Sequence, residues 1–148
     1  MIQDIEEIVD VFNMFHDGDI VEYKAEEDKL TLIIEIPYLN TEEYRRSPIF
    51  YITLYGCKNV NFEIWPLSEI ESPEFFKMPD IIFQTPLWIL SARHEEGVIT
   101  VFCNQDDMVS HGYCGGNLRF SMDFIILKDE YGTEYSVNTL ASFFESYQ

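Results

Sequence analysis

Basic residues are what this chain has least of. Nine of its 148 residues are Lys or Arg, against 27 Asp or Glu, for a formal net charge of −18. Nucleic-acid binding needs cations that displace counterions from phosphates, so that class of partner is excluded. Docking on an anionic membrane surface is excluded on the same ground. No apolar run approaches the ~20 residues of a membrane span. The N-terminus is acidic, with no basic segment leading into an apolar one, so no secretory leader is expected. Cysteine is scarce as well. Cys57, Cys103 and Cys114 are odd in number and lack a paired spacing, which argues against a disulfide framework and for a reducing cytoplasm. Also missing are internal repeats, low-complexity linkers, a Gly-x-Ser-x-Gly elbow and a His-Glu-x-x-His zinc helix.

What is present is apolar and aromatic. Hydrophobic residues make up 47% of the chain and aromatics 16%, including twelve Phe, nine Tyr and two Trp. That is too much for a disordered chain. It suits a sheet-rich core, because aromatic and β-branched side chains pack well on a pleated surface. The length fits a single domain over 1–148, with a core of its own.

Periodicity supplies the elements. Ile5, Ile8, Val9, Phe12 and Phe15 fall on one stripe of a helix over 4–15, with Asp4 as cap, Glu7 three residues on, and Gly18 as a left-handed stop. The period then changes from near 3.6 to 2. Asp19–Ala25, with Val21, Tyr23 and Ala25 on one face, and Lys29–Ile36, with Leu30, Leu32, Ile34 and Ile36 on one face, form a hairpin around Glu26-Glu27-Asp28. Strands follow at Ile49–Tyr55, Asn59–Trp65, Leu87–Arg93, Gly97–Cys103 and Asn117–Leu127. The last of these puts Leu118, Phe120, Met122, Phe124 and Ile126 together. Ser72–Phe76 could begin a helical turn, and Asp80–Gln84 could be a short strand. Asn40–Ser47 is a polar loop with Arg45 and Arg46, and Asn104–Gly116 is a polar, glycine-bearing loop. A closing helix over 137–147 carries Leu140, Phe143, Phe144 and Tyr147, with Ser136 as its cap. Helix, about seven strands and helix, without alternation, predict an α+β fold. It is a twisted, mostly antiparallel sheet with the N- and C-terminal helices packed on one face.

The candidates for chemistry each have a plain structural alternative. His16-Asp17 could be an oriented base, or the joint between helix and hairpin, with its acids capping backbone amides. Cys103, His111 and Cys114, with His16, could supply soft zinc ligands, but their spacing matches no zinc motif, and buried small hydrophobes are the alternative. The His111–Gly116 loop has the glycines of a phosphate cradle, yet a strand follows it rather than a helix. Asp106-Asp107 and the acids of 17–28 lack calcium-loop spacing. No metal, cofactor or catalytic residue is therefore expected. The candidate binding residues are the acids Asp17, Asp19, Glu22, Glu26 and Glu27, the out-facing aromatics Tyr51, Tyr55 and Trp65, with Trp88 on another strand, and His111 in the glycine loop. Tyr and Trp are enriched at interface hot spots. Half of the net charge lies in residues 1–28, which hold ten acids and one base. Such a field attracts a basic protein and speeds the encounter.

The opening helix, Phe15-His16-Asp17-Gly18-Asp19-Ile20 and the hairpin to Ile36 resemble small bacterial families of the immunity-protein type. Members carry a Phe-His-Asp-small motif before a first strand and a later strand ending near Tyr-Gly. Leu54-Tyr55-Gly56, followed by Val60–Trp65, is similar. The resemblance covers the first 65 or so residues. It implies a compact α+β protein that neutralises a cognate toxin by binding it, with no catalytic residues. The expected function is thus a non-catalytic cytosolic binding protein with a basic protein partner. The alternatives are a small enzyme or ligand binder using the 104–116 loop, and a homodimer or larger homo-oligomer pairing through the aromatic sheet face.

Overall fold

A computed structural model describes residues 1–39, 47–65, 72 and 74–146, that is, all but 40–46, 66–71, 73 and 147–148. The predicted loop arginines Arg45 and Arg46, and Tyr147, lie outside the described residues. The fold is α+β. The helices are α1 (Ile5–Met14), α2 (Pro79–Ile82), α3 (Met108–His111) and α4 (Val137–Glu145). The strands are β1 (Asp19–Glu26), β2 (Lys29–Glu35), β3 (Ile49–Tyr55), β4 (Lys58–Ile64), β5 (Phe75–Phe76), β6 (Leu87–Glu95), β7 (Val98–Asn104), β8 (Gly115–Ser121), β9 (Phe124–Asp129) and β10 (Glu134–Tyr135). All ten belong to one antiparallel sheet, in the order β10-β9-β3-β2-β1-β6-β7-β8-β4-β5.

Four expectations about elements change. The sheet has ten strands rather than about seven. The predicted Asn117–Leu127 strand is two strands, β8 and β9, because the chain breaks at Met122-Asp123 and the inward phase slips there. Leu118 and Phe120 point into the core, but so do Ile125 and Leu127, while Phe124 and Ile126 are only half-buried. Phe75–Phe76 is a strand rather than a helical turn, pairing with Phe62 and Glu63. Residues 80–82 are helical rather than extended, because Pro79 opens a helical turn.

The strand order dictates the shape. β3 and β4 are joined by two residues, Gly56 and Cys57, yet stand six places apart in the sheet. At about 4.8 Å per strand a flat sheet would separate them by roughly 29 Å. Two linking residues reach only about 11 Å. The same holds for β8 and β9 across Met122-Asp123. The sheet must therefore curl until its two five-strand halves face each other. The ribbon of β3 with β9 passes directly into the ribbon of β4 with β8, with Tyr55 opposite Phe124 and Lys58 opposite Ser121. This bent double ribbon makes one corner, as where strands switch sheets in orthogonal packings. Gly56 takes φ +66 at the bend, and Asp123 N–H donates to the Tyr55 carbonyl at 2.8 Å.

The core lies between the halves. Leu32, Ile34, Phe50, Ile52, Leu54 and Leu127 come from one side, and Phe62, Leu87, Ile89, Val101, Leu118 and Phe120 from the other; all are buried in one cluster. α1 bridges the two. Phe12 packs on Phe120 with ring centroids 5.6 Å apart, and Phe15 packs on Phe50 at 5.3 Å. α4 joins through Phe143 on Phe50 and Phe144 on Phe15. Its start is a capping box between Ser136 and Thr139. Asp4 caps α1 by accepting from the Glu6 amide, without Glu7 taking part. No helix among the described residues is long and apolar enough to cross a membrane.

Candidate functional site

The second corner is the seam between β1 and β6, and the Met14–Ile20 joint builds it. β1 and β6 pair over only two positions, Asp19 with Trp88 and Ile20 with Leu87. The ladder is then continued by the end of α1. Asp17 N–H donates to the Ile89 carbonyl at 2.8 Å, and Ile89 N–H donates to the Gly18 carbonyl at 2.9 Å. Further along, the Asn13 side chain accepts from Ala92 N–H and donates to its carbonyl, as a neighbouring strand would. The left-handed residue of the joint is Asp17, φ 67, rather than Gly18. Gly18 instead leaves little room for a side chain. A Cβ there would lie 3.0 Å from the Phe15 carbonyl and 3.2 Å from Ile34 Cγ2. His16 and Asp17 point apart: His16 Nδ1 lies against the Asn13 carbonyl, while Asp17 Oδ1 accepts from Trp88 Nε1.

On the outside of the seam, Glu35, Asp19, Trp88 and Asn104 occupy one row across four strands. A β-bulge between Ile20 and Glu22 sets this row. Counted back from Glu26 opposite Lys29, Asp19 would face Ile36; the bulge moves it opposite Glu35. Burial, with Asp106 and Glu35 nearby, holds the Asp19 carboxyl above its usual range. Tyr38, half-exposed and beside Asp17, has its hydroxyl pKa raised by burial and by that carboxylate. Among the described residues, no ion pair involves Asp17, Asp19, Glu35 or Asp106.

The other predicted residues are dispersed. Glu22 and Glu27 are exposed along the first hairpin. Glu26 is held by Lys24 at 3.4 Å and Lys29 at 3.3 Å, whose bonds lower its pKa. Tyr51 and Tyr55 are half-buried on the outer face of β3, where Tyr55 stacks on Phe124 and lies under Lys29. Trp65 belongs to the other half of the sheet, beyond β4. Its Nε1 donates to Asn117, whose amide donates to Glu63, and Arg119 bonds the same Glu63 oxygen at 2.8 Å. The aromatics thus do not form one platform.

His111 closes α3, 3.9 Å from an Asp107 oxygen and beside the Tyr113 ring. Asp107 caps α3 by accepting from Ser110 N–H, which places a negative charge where a phosphate would need none. Cys103 is fully buried and Cys114 exposed, and burial raises the Cys103 thiol pKa far above its ordinary value. Cys57 is pushed up to about 11 by burial, so neither thiol is an activated nucleophile. Among the described residues, no group of three or more His, Cys, Asp or Glu is placed to hold a metal ion.

Nothing in the sequence marks Glu35 and Asp106 as neighbours of Asp19, or Tyr38 as a neighbour of Asp17. The hairpin turn suggests a register, but the bulge that alters it leaves no plain mark in the residues. Comparison with protein-family models, with curated proteins and with solved structures found no match for this chain.

Proposed function

We propose that this protein is a non-catalytic cytoplasmic binding protein whose acidic surface docks a basic protein partner, in the manner of an immunity protein neutralising a basic toxin. The observation that carries this reading is the seam. Asp17 and Asp19 lie beside Trp88 and Glu35 and Asp106 lie near Asp19, all four without an ion-pair partner among the described residues, on a chain of net charge −18. Three acids elsewhere have cationic partners: Glu26 has two lysines, Glu63 has Arg119, and Glu134 has the N-terminal amine. Like charges left together cost free energy, which a cation from outside would offset. The dispersed His and Cys residues and the raised thiol pKa values favour binding over nucleophilic or metal chemistry.

Affinity capture from cell extract at low and at raised salt tests the proposal. The expected partner is basic and its capture weakens as salt rises, since screening acts first on such contacts. Capture that ignores salt, or that yields acidic partners alone, contradicts it.

A further inference from the structure

We infer that the tip of the 105–114 loop, Met108 and Val109 on α3, is an apolar knob that seats in an apolar pocket of the basic partner, with Lys or Arg on the rim of that pocket. This rests on the preceding proposal and narrows it to one contact. Val109 is 97% exposed and Met108 47%, on a helix of four residues. At that exposure valine adds nothing to the core, and a β-branched residue is a weak helix former, so the fold gains nothing from it there. Apolar residues exposed singly are ordinary. These two stand side by side on a tip that is held up from below.

The supports are buried. Gln105 N–H donates to the Cys114 carbonyl at 2.8 Å and closes the loop. The Gln105 side chain, itself buried, donates to the Tyr113 carbonyl at 2.8 Å and accepts from Asp107 N–H. Tyr113 is buried against Phe62 and Phe76, and its hydroxyl accepts from the Gln84 amide. Gly112, at φ 79, ends the turn by donating to the Met108 carbonyl. The tip is thus shaped before it meets a partner, and little ordering cost remains. One exposed valine is enough to join two protein surfaces when the second offers an apolar pocket.

Charge complementarity names the occupant. Asp106 and Asp107 are exposed beside the knob, and the chain has no Lys or Arg between Arg93 and Arg119. A pocket with a basic rim is attracted to such a tip. An anionic membrane surface is repelled by it, and so is a second copy of a chain with net charge −18.

Immobilised wild type, Val109→Ser, Asp106→Asn and the control Val98→Ser, each changing an exposed side chain, are given cell extract at low and at raised salt. All three variants should melt as the wild type does. The basic chain held by the wild type should be held about tenfold less by Val109→Ser, by the same factor at both salt levels, because burial of a valine does not depend on screening. The loss with Asp106→Asn should be smaller and fade at raised salt, and Val98→Ser should change nothing. A photo-crosslinking side chain at position 109 should then mark an apolar segment of the captured chain flanked by Lys or Arg. Equal capture by Val109→Ser, or a crosslink to an acidic segment, overturns the knob while acidic docking elsewhere survives. Self-association, or binding to phosphatidylglycerol vesicles, that Val109→Ser abolishes overturns the occupant assigned here. Absence of any salt-sensitive basic partner ends both readings.

Discussion

Asp19 shows how a single residue can trade stability for a charge. Its folded pKa is raised, so the folded state holds the proton more tightly than the unfolded chain does. The sign follows: the carboxylate costs stability at neutral pH, and that cost fades as pH falls through its folded pKa. Asp19→Asn should therefore stabilise the protein at pH 7 by a few tenths of a kcal/mol. The gain should vanish below about pH 3, where the acid is neutral in both states. Urea unfolding at the two pH values measures it, and a gain that persists unchanged in acid contradicts the account. Gly56 is the second telling residue. It has φ +66, and a Cβ there would sit 2.1 Å from Asp123 Oδ2. Gly56→Ala should cost about 1–3 kcal/mol. Asp123→Ala in the same chain should recover part of the loss, leaving the share due to backbone strain. Reading residues alone, Gly56 is visible only as a turn, because its tight neighbour is 67 positions away in the chain.

At the scale of elements, legibility followed periodicity. α1 could be read from its stripe: Ile8, Val9, Phe12 and Phe15 are buried and Ile5 is partly buried, although Val11, outside the stripe, is buried as well. The first hairpin and the Leu30, Leu32, Ile34 face were equally plain. The β8–β9 break was not. Alternation of large apolar residues runs on through Met122 and Phe124 because both sheet faces carry them near the corner, so the pattern hides the change of phase. Short β5 and β10 gave no period to detect, having two residues each. α1 is also the element most exposed to test. Phe12 is fully buried and touches Phe120. Phe12→Ala should cost about 3–5 kcal/mol, a large share of a typical domain's stability, seen as a lower denaturation midpoint with unchanged slope. Ser136→Ala, which removes the capping-box hydroxyl of α4, should cost only about 1 kcal/mol.

For the whole molecule, net charge was legible from composition, but its focus was not. The acidic N-terminal segment was visible as such, yet Glu35 and Asp106 reach its neighbourhood only through the bulge in β1 and the curl of the sheet. The curl depends on which strands pair, and pairing across six strand positions leaves no local trace in the chain. That same bent ribbon has a consequence for how the protein is made. β4 to β8 form one uninterrupted stretch of chain, while their facing half needs β1 to β3 from before it and β9 and β10 from after it. On the ribosome, β6, β7, β8 and β4 can find one another as soon as they emerge. β3 must wait, one edge unpaired, until β9 is synthesised. The early strands are thus the ones that need shielding during synthesis, and β9, arriving late with Ile125 and Leu127, closes the core.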